Sequence, residues 1–406
     1  MAEYGLLGQH LDHSYSKLVH EAFGLYEYDL WPTEPEDLDE FFKGNWKGCN
    51  VTIPYKKEVL KYCKLAPKAE RIGSANTIAR EPDGTLKAHN TDYHGFRHMA
   101  EEAGISFEGK KVLILGSGGA GVMCKAVVED YGGTPIIISR SGENNYDNLD
   151  RHYDAQIIVN ATPVGMFPNV EEAPLNLRHF TKLEALLDLI YNPAKTEMMF
   201  QAERLGAKAV GGLSMLVWQA ARAAEIFTGR ETDPEQVRAV LRKIEAQTKN
   251  IVLIGMPGCG KTVIGQALAE ELGREFADTD QFIEVLTGSS IPDFIREHGE
   301  ESFRIYESSL AFELGQQSGI VVSTGGGIVK EPANFESLKR NSIVVYINRP
   351  MDMLATEGRP LSSSKEAVAK LYMERFALYN QFADFKIDNI GSIEDAVKAI
   401  REAAGL

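Results

Sequence analysis

Residues Ile251–Thr262 read IVLIGMPGCGKT. Ile251, Val252, Leu253 and Ile254 are β-prone and apolar, and predict a short buried strand. Gly255 to Thr262 then fit G-x-x-x-x-G-K-[ST], and a helical pattern, VIGQALAEELG, follows at once. Strand, glycine loop and helix start form a phosphate cradle. Backbone N–H groups at Gly255, Gly258, Cys259 and Gly260 curl round the phosphates, Lys261 reaches the β and γ groups, and the Thr262 hydroxyl ligates Mg²⁺. A chance glycine-rich turn would give no reason for Lys-Thr to fall in register. The stretch therefore predicts a P-loop α/β/α domain. Because it starts near residue 250, earlier domains must precede it.

Downstream, Phe276-Ala277-Asp278-Thr279-Asp280 ends another strand with two carboxylates. Gly299–Arg304 (GEESFR) opens a helix, and Ser323–Gly327 (STGGG) closes the strand Ile320–Val322. Arg359-Pro360-Leu361 and Tyr372–Tyr379 (YMERFALY) complete the series. With the phosphate loop, this set resembles shikimate kinase across roughly 250–406. The resemblance implies that Asp280 contacts the substrate hydroxyl as base or orienter. It implies that Arg304 and Arg375 clamp the shikimate carboxylate, with Gly325, Gly326 and Gly327 lining the site. Asp278 would join Thr262 around Mg²⁺ through water, while Lys261 and Arg359 neutralise the migrating phosphoryl group of ATP. Phe294 and Phe303 are candidates for the ring wall and equally for ordinary core. The lid Met353–Gly358 is shorter than the family's and lacks its basic adenine-stacking residue. The tail Ile387–Ser392 also lacks the usual Arg and Pro, so weak discrimination between ATP and GTP is expected.

Composition sets the outer limits. A chain of 406 residues should hold two or three domains. Residues 1–247 carry 27 Lys/Arg against 35 Asp/Glu, and 248–406 carry 16 against 23, which together give the net charge of −15. Neither part has the basic balance that nucleic acid or an anionic membrane would attract. Cys49, Cys63, Cys124 and Cys259 show no CxxC spacing, which argues against a disulfide framework or a zinc site. No apolar run reaches membrane-spanning length and the N-terminus lacks a leader pattern, so a cytoplasmic protein is expected.

At the N-terminus, strand Tyr4–Leu7, helix Lys17–Leu25, strand Tyr26–Trp31 and helix Pro35–Phe42 alternate, predicting a largely parallel sheet. Then come Cys49–Lys56 (CNVTIPYK), Ser74–Thr77 (SANT), a hairpin at Pro82-Asp83-Gly84, and His89–Asp92 (HNTD). Taken singly these are bland: a solvated lysine, a helix N-cap. In order, with His13–Ser16 (HSYS), they resemble shikimate dehydrogenase. The resemblance implies that Ser14, Ser16, Thr52, Asn76 and Asp92 hold a polyhydroxylated cyclohexene acid, with Lys56 and Asp92 as the catalytic pair. Lys17 and Tyr93 depart from the family's Pro and Gly beside these ligands.

Lys111–Leu115 is a strand followed by Gly116-Ser117-Gly118-Gly119-Ala120-Gly121 and a helix, the G-x-G-x-x-G context for a dinucleotide, with a tight turn as the other reading. The next strand, Pro135–Ser139, ends in Arg140 without a ribose-gripping acid. Ser139 and Arg140 thus suit a 2′-phosphate and NADPH/NADP⁺, unless Arg140 is simply an exposed strand end. Asn160–Met166 (NATPVGM), Asp188–Pro193 (DLIYNP) and Gly211–Ala221 (GGLSMLVWQAA) extend the resemblance across roughly 3–245. It assigns Tyr191 and Gln219 to the substrate cleft and Met215 to the nicotinamide side, although most of Met215–Trp218 reads as core. His94 and His98, spaced i, i+4, fit either an exposed helical pair or, less well, metal ligands.

The expected layout is a substrate-binding domain at 1–92 completed by 213–245, a Rossmann NADP-binding domain at 93–212 and a kinase domain at 246–406. The implied activities are reduction of 3-dehydroshikimate with NADPH, then phosphorylation of shikimate with MgATP. A quinate-active dehydrogenase is the alternative within enzymes, separable by turnover on the two acids. A ligand-sensing regulator is the alternative outside them. Intact Lys56, Asp92, Lys261, Asp278, Asp280 and Arg359 speak against the regulator.

Overall fold

Aliphatic and β-branched runs place sixteen strands in three sheets in the computed structural model, which describes residues 2–11, 14–354 and 365–406. The chain divides into two compact units, Met1–Ile244 and Glu245–Leu406.

The first unit contains two sheets. Strands β1 (Tyr4–Gly8), β2 (Tyr28–Pro32), β3 (Gly48–Val51), β4 (Lys64–Leu65), β5 (Thr77–Arg80) and β6 (Leu86–His89) lie in the order β2-β1-β3-β5-β6-β4. Pairs β1–β2, β1–β3 and β4–β6 are parallel. The β5–β6 hairpin, turned at Pro82-Asp83-Gly84, makes β3–β5 and β5–β6 antiparallel. The strands of the β-α alternation thus pair in parallel as expected, and the hairpin adds an antiparallel part, because a tight turn can join only antiparallel neighbours. The second sheet is wholly parallel: β7 (Lys111–Leu115), β8 (Thr134–Ile138), β9 (Ile157–Asn160), β10 (Ala185–Asp188) and β11 (Lys208–Val210), ordered β11-β10-β9-β7-β8. The strand order reverses at β7, where open α/β sheets open a ligand crevice.

Helix Leu213–Thr228 returns to the first sheet's layer. Val217, Trp218, Ala220 and Ala221 pack there with Val19, Phe23 and Val237. Helix Pro234–Thr248 follows, and β12 starts at Asn250.

In the second unit, β12 (Asn250–Ile254), β13 (Phe276–Asp278), β14 (Val321–Ser323), β15 (Ser342–Asn348) and β16 (Phe385–Asp388) form a parallel sheet ordered β13-β14-β12-β15-β16. Its central strand is completely buried, as expected for a strand covered on both faces. Helix Ile291–Gly315 breaks at Gly299, whose φ of +84° is a left-handed value that favours glycine. The GEESFR segment thus starts a new helical run, as its sequence suggested. Among the described residues, no helix is long and apolar enough to cross a membrane.

Candidate active sites

The loop after β3 turns at Pro54 and delivers Lys56, whose carbonyl accepts a 2.8 Å hydrogen bond from Ala75 N. That bond ties NVTIPYK to SANT. The Lys56 ammonium meets Asp92 Oδ2 at 2.6 Å, with 27% and 12% of the two side chains exposed. Asp92 Oδ1 accepts from Asn76 Nδ2 at 2.9 Å, and the same amide lies 3.2 Å from Gln219 Oε1. Asn76 Oδ1 accepts from Thr91 N at 2.6 Å, so the amide is fixed from both ends. Asp92 opens helix Asp92–Glu102, where the helix dipole favours a carboxylate. Gly95 makes this convergence possible. A Cβ there would stand 2.4 Å from Met215 O and 2.9 Å from Gln219 Cβ. Only glycine lets the helices bearing Asp92 and Gln219 come this close.

Ser14 Oγ donates to Ser16 Oγ at 3.1 Å, and the Tyr15 ring packs 5.1 Å from that of Tyr191. Burial raises the Tyr191 phenol pKa. Thr52 follows β3 half-buried, its N–H bonded to Leu7 O at 2.9 Å.

In the dinucleotide turn, a Cβ on Gly121 would meet Gly116 O at 1.9 Å, a contact no other residue tolerates. Gly118 faces open space, Ala120 sits in the first turn of helix Gly119–Asp130, and Gly119 approaches Ser74 of the substrate segment. Ser139 is half-buried. Arg140 is exposed, and among the described residues no hydrogen bond or ion pair engages its guanidinium. The turn thus offers a side-chain-free glycine backbone and an exposed cation, which fits a dinucleotide carrying a 2′-phosphate.

In the second unit a cleft of about 500 Å³ joins the phosphate loop to Asp278, Asp280, Arg304, Gly325–Gly327 and Arg375. Lys261 Nζ donates to Gly255 O and Met256 O at 3.0 and 3.1 Å, carbonyls standing where phosphate oxygens would compete for it. Thr262 Oγ1 donates to Asp278 Oδ2 at 2.8 Å. Asp278 Oδ1 caps the next helix through Asp280 N and Gln281 N. A hydroxyl beside a carboxylate is a hard oxygen set suited to Mg²⁺ together with phosphates. Burial, and then Asp278, push the Asp280 carboxyl up to about 6, and its Oδ1 is buried without a hydrogen-bond partner.

A model for the shikimate dehydrogenase substrate-binding domain matches residues 6–78, and one for the shikimate 5′-dehydrogenase C-terminal domain matches 212–242. The NADP⁺ shikimate dehydrogenase of Clostridium beijerinckii is 32% identical over 273 residues, 61% of this chain and all of that protein. The chain belongs to the shikimate dehydrogenase family. The Methanopyrus kandleri dehydrogenase is 36% identical over 59% of this chain and 95% of its own length. A chorismate mutase/shikimate 5-dehydrogenase fusion from Clostridium acetobutylicum superposes with a TM-score of 0.57 at 33% identity, covering 60% of this chain and 96% of that one. The Thermus thermophilus shikimate dehydrogenase solved with NADP(H) and shikimate gives 0.54 at 30%, covering 59% and 98%. Beyond the dehydrogenase region, a shikimate kinase model matches 257–404.

The two histidines stand differently from their sequence reading. His94 and His98 are half-buried rather than an exposed pair, and among the described residues no cluster suited to a metal ion includes them. His98 stacks on Trp218 at 4.2 Å, whereas His94 lines a separate cavity. Phe294 and Phe303 are both buried with Ile283 and Leu310, and only Phe303 reaches the kinase cleft. Met215 is half-buried against the second sheet's core. Arg304 is already held by Glu307 and Glu300, and Arg375 Nη1 donates to Gly326 O at 2.9 Å. Arg359, and the lid around Thr356–Gly358, lie outside the described residues.

Other participants went unread in the sequence. Glu307 is buried, and burial raises its carboxyl despite Arg304. In the tail that lacks the family's Arg and Pro, Asn389 Nδ2 donates to Cys259 O at 2.8 Å and braces the phosphate loop. In the dehydrogenase, Asp188 is wholly buried and accepts from Asn160 Nδ2, Thr196 Oγ1 and Ile190 N at 3.1, 2.7 and 3.1 Å. Burial raises its carboxyl to about 6. Asn160 and Asp188 end adjacent parallel strands and share one register position, a pairing that only the fold reveals.

Proposed function

We propose that this chain is a bifunctional enzyme that reduces 3-dehydroshikimate with NADPH and phosphorylates shikimate with MgATP. The observation that carries the reading is the occurrence, in one chain, of a Lys56–Asp92 pair braced by Asn76 and a phosphate loop whose Thr262 is bonded to Asp278. In this reading residues 1–92 with 213–245 bind the substrate, 93–212 bind NADP, and 246–406 form the kinase.

NADPH supplies the hydride. Hydride addition to a ketone leaves an alkoxide, and Lys56 stands ready to donate a proton to that oxygen. Asp92 keeps the ammonium in place, and Asn76 with Thr91 keeps Asp92 from turning away. Ser14, Ser16, Thr52, Tyr191 and Gln219 hold the ring hydroxyls and carboxylate. Gly116–Gly121, Ser139 and Arg140 bind the dinucleotide, and Met215 packs on the nicotinamide side.

In the kinase, Asp280 accepts the hydrogen bond of the attacking hydroxyl, and Arg304, Arg375 and Gly325–Gly327 hold the acid. Gly255, Gly258, Cys259 and Gly260 surround the phosphates. Lys261 and Arg359 stabilise charge on the transferring group, while Thr262 and Asp278 would hold Mg²⁺. Four free cysteines fit a reducing cytoplasm. The experiment supplies 3-dehydroshikimate, NADPH and MgATP together. Shikimate 3-phosphate should appear, its formation depending on NADPH. Accumulation of shikimate alone would remove the kinase half of the reading, and unspent NADPH would remove the first half.

A further inference from the structure

The dehydrogenase unit holds a second cavity, of about 440 Å³, apart from the Lys56–Asp92 pair. Its lining comes from the start of helix Pro67–Ile72, from β6, from the first turn of helix Asp92–Glu102 and from the latter part of helix Leu213–Thr228. Lys68, Lys87, His89, His94 and Arg222 all line it, and no aspartate or glutamate does. Strand alternation supplies two of the five. Ala88 enters the core, so Lys87 and His89 lie on the opposite face of β6. Lys68 is held in place by Tyr93, its ammonium 3.8 Å from the ring centroid, and the Tyr93 hydroxyl is anchored on Asp130 at 2.7 Å.

Burial first, and neighbouring cations second, disfavour protonation here. Burial, then Lys68, Arg222 and Arg97, hold His94 down at about 3. Burial and then Lys87 and Arg222 lower His89, and burial followed by Arg97 lowers Lys68. Arg222 has Glu225 at 2.6 Å, a residue outside the cavity lining. Converging cationic donors with no acid among them raise the local concentration of anions, and a doubly charged, multi-acceptor group satisfies them best.

We propose that this cavity is a binding site for a small phosphate-bearing anion, gripped by Lys68, Lys87 and Arg222, with His89 and His94 as further donors. Ala66, Pro67 and Ile226 leave an apolar wall for an organic body. Asn90 and Thr91 also line the site, and Thr91 Oγ1 lies 3.3 Å from Gln219 Oε1. A ligand here therefore touches the catalytic network from outside the substrate cleft. Two sources share the chemistry: inorganic phosphate, and the phosphate ester made by the kinase half, which rests on the reading above.

The test titrates the full-length protein with inorganic phosphate and, separately, with shikimate 3-phosphate, at constant ionic strength with shikimate and NADP⁺ present. The imidazole resonances of His89 and His94, assigned through His89→Gln and His94→Gln, report the cavity and ignore the phosphate loop. Both should move saturably, and Lys87→Gln or Arg222→Gln should each weaken binding about tenfold, as expected for one lost charge-assisted contact. Retained shikimate oxidation verifies that the variants fold, and Lys87→Gln serves alone if Arg222→Gln does not. Tighter binding of the ester assigns the site to the chain's own product; tighter binding of inorganic phosphate assigns it to the free ion. Because the ester is added rather than made, failure of the kinase reading leaves this result untouched. Resonances that do not move with either ligand, or equal affinity in the parent and the variants, would overturn the proposal.

Discussion

Asp280 sits between two demands: its cleft buries it, and its proposed task needs it ionised. With its carboxyl at about 6, kinase kcat/KM should fall as pH drops through that value, because the free enzyme's base is then protonated. The linkage has the opposite sign for stability. A folded-state pKa above the unfolded value of about 4 costs nothing below pH 4 and its full amount above pH 6. Asp280→Asn should therefore raise stability at pH 7 by on the order of 2–3 kcal/mol, with no gain at pH 4, while the kinase reaction is lost. Denaturant titrations at the two pH values, with a pH–rate profile of the parent, check both signs. Arg140 gives a second prediction at this scale. Among the described residues its guanidinium has no hydrogen-bond partner to lose, so Arg140→Ala should leave the fold unchanged. It should cut the NADPH-over-NADH preference roughly ten- to a hundredfold, the worth of one charge-assisted phosphate contact. An unchanged ratio would remove the assignment. The Lys56–Asp92 and Thr262–Asp278 pairings were approachable from the sequence through the order of their motifs, since Lys56 and Asp92 are bland taken singly. Asp188 and Glu307 were not. Each acts as a buried partner to a residue far along the chain, or a helical turn away in a sequence full of glutamates, and nothing local distinguishes it.

At the scale of elements, the strand–loop–helix junctions were legible, since each pairs a hydrophobic run with glycine. The close approach of two helices was not, because Gly95 reads as a poor helix residue until Met215 O is found beside it. That contact predicts a selective lesion. Gly95→Ala would set a Cβ 2.4 Å from a backbone oxygen that cannot swing aside, an overpacking typically costing about 1–3 kcal/mol. The strain falls between the helices carrying Asp92 and Gln219. A displacement of about 1 Å there should lower dehydrogenase turnover up to a hundredfold. Kinase turnover should be unaffected, since Gly95 and its contacts all lie in the first unit. Assaying both half-reactions, with thermal melting, tests this. A variant with parental dehydrogenase activity would show that the helices can separate freely.

For the whole molecule, the prediction concerns independence. Lys56 and Lys261 are both lysines, but they belong to different units and serve different charges. Lys56 is paired with Asp92 and is proposed to supply a proton to a forming alkoxide; Lys261 rests on loop carbonyls that phosphate oxygens are proposed to replace. Removing an electrostatic stabiliser of this kind typically costs a hundred- to a thousandfold in rate, roughly 2.7–4 kcal/mol. Sites without a shared partner behave additively, and each lysine's hydrogen bonds stay within its own unit. Lys261→Ala should therefore still consume NADPH with 3-dehydroshikimate while shikimate accumulates unphosphorylated. Lys56→Ala should still phosphorylate added shikimate at near the parent rate. Both half-reactions are to be measured on both variants once each is shown to be folded. If either substitution abolishes both activities in a folded chain, the two sites are not separate. A single composite site would then have to account for the phosphate loop and the Lys56–Asp92 pair together.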